Sequence, residues 1–153
     1  MTHSADQLRD AERFLHEKIP LTRAMGVRVV ADEEGAFSVE APVALNYNHL
    51  HTAFGGSINA VATLAGYAFL WLELRDTSVE IVVAESTIRF RAPVRETIRA
   101  VCRRPEAETL ISLKAALAEK GKARIALQVA VEENATIAAE FNGTFVAVRT
   151  THA

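Results

Sequence analysis

Residues 52–72 form an unbroken stretch without a charged side chain. About 20 apolar residues are enough to cross a bilayer, so the stretch is formally a membrane-span candidate. Gly55, Gly56, Ser57, Asn59, Thr63 and Gly66 dilute its hydrophobicity and no basic cluster flanks it closely, which argues against insertion. A helix that is apolar on all sides must otherwise be buried in a soluble core, and something large has to wrap around it. The stretch therefore predicts a central helix over 55–72 and demands a curved sheet from the rest of the chain.

The remaining sequence can build that sheet. Ser4-Ala5-Asp6-Gln7 has the form of a capping box, and Leu8, Ala11, Phe14 and Leu15 follow at helical spacing until Pro20, predicting an N-terminal helix and a short turn before Gly26. Residues 27–31 and 37–41, separated by Asp32-Glu33-Glu34-Gly35, read as a hairpin. Residues 79–90 and 97–103 read as two further strands, with Pro93 between them. Leu110, Leu113 and Leu117, between Pro105 and Gly121, mark an amphipathic helix. Ala123, Ile125, Leu127, Val129 and Val131 alternate with more polar neighbours, and 136–149 alternates again after Glu133-Asn134, predicting a second hairpin. The fold class expected is α+β: an antiparallel sheet around one long helix, with an N-terminal helix and an extra helix between strands 4 and 5.

A chain of 153 residues with 50% hydrophobic content suits one domain with a sizeable core, so residues 1–153 are expected to form a single unit. Lys plus Arg (17) nearly balance Asp plus Glu (19), for a net charge of -2, and no electrostatic pull toward nucleic acid or anionic lipid results. Cys102 is the only cysteine. No internal disulfide can form, and in the alternating run 97–103 Cys102 shares a face with Ile98 and Ala100, which makes it a core residue. The start MTHSADQLRD lacks a basic-then-apolar secretory pattern, so a cytoplasmic location is expected.

The element order, together with Asn48 and Phe54-Gly55-Gly56 at the mouth of the apolar helix, resembles the hotdog superfamily of acyl-thioester enzymes along nearly the whole chain. More narrowly, Asn46-Tyr47-Asn48, Thr52-Ala53-Phe54-Gly55-Gly56-Ser57 and Thr63-Leu64-Ala65-Gly66-Tyr67 look like the bacterial thioesterase domain found fused behind a GNAT acetyltransferase domain. This length leaves no room for a GNAT domain, so the thioesterase part alone is expected. The resemblance implies acyl-CoA or acyl carrier protein as partner, coenzyme A only as part of the substrate, and a homodimer or dimer of dimers with sites between subunits. In the better-known members a His-Gly-Gly stands at the helix mouth and a carboxylate follows one or two turns later. Here Phe54 takes the place of the His and Thr63 falls where the acid often lies.

Thioester hydrolysis builds negative charge on the carbonyl oxygen, which fixed donors in a water-poor site stabilise best. A helix N-terminus offers unpaired N–H groups and the positive end of a dipole, and glycine lets a ligand atom approach the backbone. Gly55 or Gly56 is accordingly the expected oxyanion donor, with Asn48 orienting the carbonyl or the water. The alternative reading has Gly55-Gly56 making only a tight turn, Ser57 capping the helix and Asn48 bonding its own loop. Both stay open at this stage.

No carboxylate lies within 55–72, and the nearest candidate base is Glu85 in the strand 79–90, among Ile81, Val82, Val83 and Ala84; apolar surroundings would raise its pKa toward that of a useful base. The other possibility is a solvent-facing residue beside Thr87 and Arg89. His51 is a second candidate base because an imidazole titrates near neutrality. His49 and His51 lack further ligands at metal spacing, so no metal is expected. Asn46, Phe54, Ser57 and Thr63 are the expected substrate contacts around the turn, and Arg89 and Arg91 could meet coenzyme A phosphates or an acidic carrier surface. Tyr67, Phe69, Leu70 and Trp71 read as packing. The rival functions are a non-catalytic acyl-CoA or acyl-carrier binding module and a hotdog dehydratase, which would want a His and acid pair at the helix.

Overall fold

The computed structural model describes residues 2–33 and 35–150. Ser4 and Gln7 do form the capping box: the Ser4 hydroxyl accepts from the Gln7 N–H at 3.2 Å and the Gln7 side chain accepts from the Ser4 N–H at 2.8 Å. They start α1 (Ala5–Lys18), and Pro20 opens the short α2 (Pro20–Ala24). The hairpin β1 (Arg28–Glu33) and β2 (Ala36–Pro42) leads through a single 3-10 turn to α3 (Gly55–Leu74). Then come β3 (Val79–Phe90), β4 (Thr97–Arg103), α4 (Ala107–Lys120), β5 (Lys122–Glu133) and β6 (Thr136–Arg149).

Among the described residues, six strands join one antiparallel sheet in the order β1-β2-β4-β5-β6-β3. The period-2 pattern of β5 is realised directly: Ile125, Leu127, Val129 and Val131 are buried while Arg124, Ala126 and Gln128 are exposed. Opposite Ile125 and Val129 stand Phe145 and Phe141, both buried. These residues and the inner faces of the other strands wrap α3, whose Val61, Ala62, Ala65, Ala68 and Phe69 are fully packed. This is the hotdog architecture. By length and composition α3 could span a membrane, but the sheet covers the faces that a bilayer would otherwise have to cover.

Helix and sheet approach so closely that Gly66 is required. A Cβ there would lie 2.6 Å from Cζ of Phe145, inside any tolerable contact distance. Tyr67 and Trp71, on the side of α3 away from the sheet, lie against Phe14 of α1 with ring centroids 6.4 and 4.7 Å away. Burial raises the Tyr67 hydroxyl above its ordinary pKa, with a further push from Glu80. Cys102 is a core residue on β4, and burial pushes its thiol up to about 12, which favours the protonated, less reactive form. α4 packs along β5 through Leu110, Leu113 and Leu117 and ends at Gly121, whose positive φ of 71° closes the helix.

Strand β3 stands at the sheet edge although it lies in the middle of the sequence. Val82, Val83 and Phe90 on it are exposed, which leaves one flank of backbone and several apolar side chains uncovered.

Candidate active site

The loop ahead of α3 is a rigid frame. Asn46 is buried, and its side-chain amide donates to the carbonyls of Met25 and Pro42 at 2.9 and 2.8 Å. Its own carbonyl accepts from the Phe54 N–H at 2.7 Å, so one asparagine ties the helix mouth to both neighbouring segments. A bridge between Tyr47 and Ala53 pinches the loop. Within it, the Asn48 side chain accepts from the N–H groups of Leu50 and Thr52 at 2.9 and 3.2 Å and donates to the Thr52 hydroxyl at 3.1 Å. That amide is engaged in its own loop, as the turn-making reading of the sequence expects. His51 sits at a φ of 60°, and its ring stacks on the exposed Tyr47 at 5.5 Å.

A second frame supports the first from behind. The Glu133 carboxylate accepts from the N–H groups of Arg95, Glu96 and Thr97 at 2.8 to 3.2 Å. The same segment accepts the Val43 N–H at the Glu96 carbonyl and the Ala53 N–H at the Val94 carbonyl. Partial burial pushes the Glu133 carboxyl up, and the three backbone donors more than reverse this, leaving its pKa below the ordinary value.

At the helix mouth, Phe54 is the N-cap residue, with extended backbone and no side-chain bond to the first turn. The first intrahelical bond runs from the Ile58 N–H to the Phe54 carbonyl, so the N–H groups of Gly55, Gly56 and Ser57 precede it. Ser57 does not cap α3; it lies three residues inside, because the helix begins at Gly55 and not at the hydroxyl. The exposed Phe54 ring lies over Gly56, where a Cβ would come within 2.5 Å of it. On the other side the exposed Phe90 ring of β3 stands 3.4 Å from the place of a Cβ on Gly55. Two aromatic rings thus flank a pair of glycines at the positive end of a 20-residue helix. Phe90 carries no motif, and only the sheet register brings it here.

Deeper along α3, Thr63 donates its hydroxyl to the Asn59 carbonyl at 2.9 Å, a bond within the helix that leaves Thr63 no acidic function. The next carboxylate on α3 is Glu73, at the far end.

Glu85 lies elsewhere. It is exposed and pairs in register with Thr144, whereas its neighbour Ser86 pairs with Gly143, which faces α3 together with Leu127. Alternation therefore turns Glu85 to the outer face of the sheet. It lines a cavity of about 430 Å³ there with Thr87, Arg103, Gln128 and Asn142. Five residues separate it from Phe90, about 17 Å of strand, so within one chain Glu85 does not meet the Gly55-Gly56 turn. The apolar neighbours that suggested a shielded carboxylate alternate to the other face or are themselves exposed.

Arg89 is exposed on that same outer face, opposite Glu140. Arg91 is paired: its Nε and Nη2 donate to Glu140 at 2.9 and 2.7 Å. The structure thus brings together Asn46, Asn48, Phe54, Gly55, Gly56 and Ser57 with Thr63 further along the same helix; within one chain it sets Glu85 and Arg89 on the outer face of the sheet and ties Arg91, next to Phe90, to Glu140.

The family described as "Putative thioesterase (yiiD_Cterm)" matches residues 8–149. The chain belongs to this family. A "putative thioesterase" of Shewanella oneidensis shares 30% identity, with 95% of this chain and 99% of that one aligned at a TM-score of 0.84. A Pseudomonas aeruginosa protein of unknown function, described as a "Probable Thioesterase", shares 28% identity over 98% and 99% of the two chains at 0.79. A protein of unknown function from Chlorobaculum tepidum superposes at 0.86, with 27% identity over 93% and 94%. In this chain, the glycine pair at the start of α3 is where backbone donors, apolar flanks and a braced loop coincide.

Proposed function

We propose that this chain hydrolyses an acyl thioester of coenzyme A or of acyl carrier protein at the start of α3. The observation that carries this is the uncapped helix N-terminus at Gly55-Gly56, open between Phe54 and Phe90. A thioester carbonyl set there places its oxygen at the backbone donors, and the helix dipole favours the charge that develops on it. Water adds to the acyl carbon, the carbon–sulfur bond breaks, one water proton ends on the thiol and the other leaves with the carboxylic acid. Phe54 and Phe90 supply apolar contact for the acyl group.

The exposed edge strand β3, with Val82, Val83 and Phe90 uncovered, supports a second copy pairing along it, which would bury the Phe90 side of the site. A binding module without turnover is the competing reading, favoured by the lack of any carboxylate on α3 before Glu73. Supplying acyl-CoAs of graded chain length and detecting free thiol separates the two: a hydrolase releases coenzyme A with at least one of them.

The donor itself can be removed. Gly55 is the first residue of α3, where proline is tolerated and Phe54 already has the extended backbone that proline wants before it. Gly55→Pro deletes that N–H and should lower kcat by about 100-fold while the protein stays folded. Unchanged turnover would move the oxyanion to the Gly56 N–H.

A further inference from the structure

The two edges of the sheet differ. At one edge stands β3, with 12 residues, and among the described residues no hydrogen bond from outside the sheet reaches its backbone between Glu80 and Arg89. At the other edge β1 is occupied. The N–H of Val27, the residue before β1, donates to the Thr22 carbonyl of α2 at 3.0 Å. The Val27 carbonyl lies 2.7 Å from Nε2 of His16, and the Val29 N–H donates to Oε1 of Glu12 at 3.0 Å. A carbonyl only accepts, so His16 carries a hydrogen on Nε2. Glu12 and His16 are four apart on α1, which puts them on one face and about 6 Å apart along its axis. Val27 and Val29 are two apart, about 6.6 Å of extended chain. The repeat of the helix thus matches the spacing of the polar groups that β1 turns outward, with α1 running against the strand direction. Beyond Val29 the pairing with β2 shifts before Ala31, and such a bulge itself spoils an edge for further pairing.

We infer that Glu12 and His16 guard β1: their side chains take the place of a neighbouring strand and keep a second copy of this chain from adding there. An edge strand with free N–H and C=O groups is a template for another chain. With both edges open, each copy would pair on two sides, and growth would not stop at a closed assembly. With β1 occupied, only β3 is left. The guard stands on the geometry of β1 alone, whereas pairing along β3 belongs to the reading above. Holding α1 to the body does not require this polar pair, because Ala11 and Leu15 are buried and Phe14 stacks on Trp71 at 4.7 Å.

Light scattering over a concentration series, with a thermal melt of each protein, tests the inference. The double variant Glu12→Ala/His16→Ala strips the edge; it should stay folded and reach at least about twice the parent mass as concentration rises. Glu12→Gln keeps an acceptor oxygen for the Val29 N–H and should keep the parent mass. Val29→Pro added to the double variant deletes an outward N–H that takes no part in the ladder to β2, as proline on an edge strand allows, and should restore the parent mass. Glu12→Ala alone decides the point should the double variant not fold. Folded variants that keep the parent mass at every concentration overturn the guard, and so does association that Val29→Pro leaves in place. A parent that is monomeric throughout overturns the pairing along β3 and not the guard, which the variants then judge against a monomer.

Discussion

The two ends of α3 solve opposite problems with the same helix. At the N-terminal end the backbone donors are left open, the N-cap residue is a phenylalanine that bonds nothing, and the polar side chain one turn in has an unpaired oxygen. At the C-terminal end the polar groups close on one another. Arg75 takes a left-handed conformation with a φ of 44° and returns its N–H to the Trp71 carbonyl, with its guanidinium 5.3 Å from the Trp71 ring centroid. Glu73 is nearly buried and receives the Arg104 guanidinium at 2.5 Å, with His3 and Lys114 each at 3.7 Å. The open end leaves backbone donors unpaired while the closed end pairs its charged groups, so on the proposed function stability and chemistry are drawn from different turns of one element.

If that division holds, changes at the closed end should cost stability without touching chemistry. Glu73→Ala removes the carboxylate from beside a buried guanidinium and should destabilise the fold by about 3 kcal/mol, read as a lower denaturation midpoint. KM and kcat at a temperature where the variant is folded should match the parent. A matching fall in kcat would break the division between the ends. Next in size is Gly55→Pro, whose expected 100-fold loss of kcat corresponds to about 2.7 kcal/mol of transition-state stabilisation, with an unchanged midpoint.

Asn46→Ala tests the bracing of the open end. Two carbonyls, of Met25 and Pro42, lose their donor, so a loss of about 2 kcal/mol is expected, together with a rise in KM because the side-chain bonds that fix residue 46, whose backbone carbonyl holds the Phe54 N–H, are gone. This variant alone should move both quantities, sharpening the line between residues that form the open end and residues that support it. The smallest effect belongs to Glu133. Its folded pKa lies below that of the unfolded chain, so its clamp stabilises at neutral pH and that contribution fades as pH falls through the folded value. Glu133→Gln should therefore flatten the acid limb of a stability-versus-pH curve. Asp76, held down to about 2 first by Ser78 and then by Arg149, keeps its own acid response at the closed end.

Much of the fold is legible in the sequence because hydrophobic period reports burial locally. The alternation around Ile125 and Leu127, the capping box at Ser4 and the leucine spacing in α4 each announce their element, and the uncharged stretch announces the helix that must be wrapped. The glycine pair and the family were legible too, since a backbone that must approach a ligand needs Gly and such motifs are contiguous. The face that Glu85 takes was not, because the face of a strand residue depends on register: the irregularity between Val83 and Glu85 in the pairing with β6 shifts alternation by one residue, and no local pattern marks it.

From the sequence alone came the element types, the core helix and the candidate oxyanion donors, all of which depend on residues close together along the chain. Only the tertiary structure decided that β3 returns to the sheet edge, that its Phe90 stands against Gly55 and its Glu85 on the far face, and that Asn46 and Asn48 hold the loop. Those outcomes depend on strand order, register and the hydrogen bonds left over after packing, which couple residues too distant in sequence for any local periodicity to record.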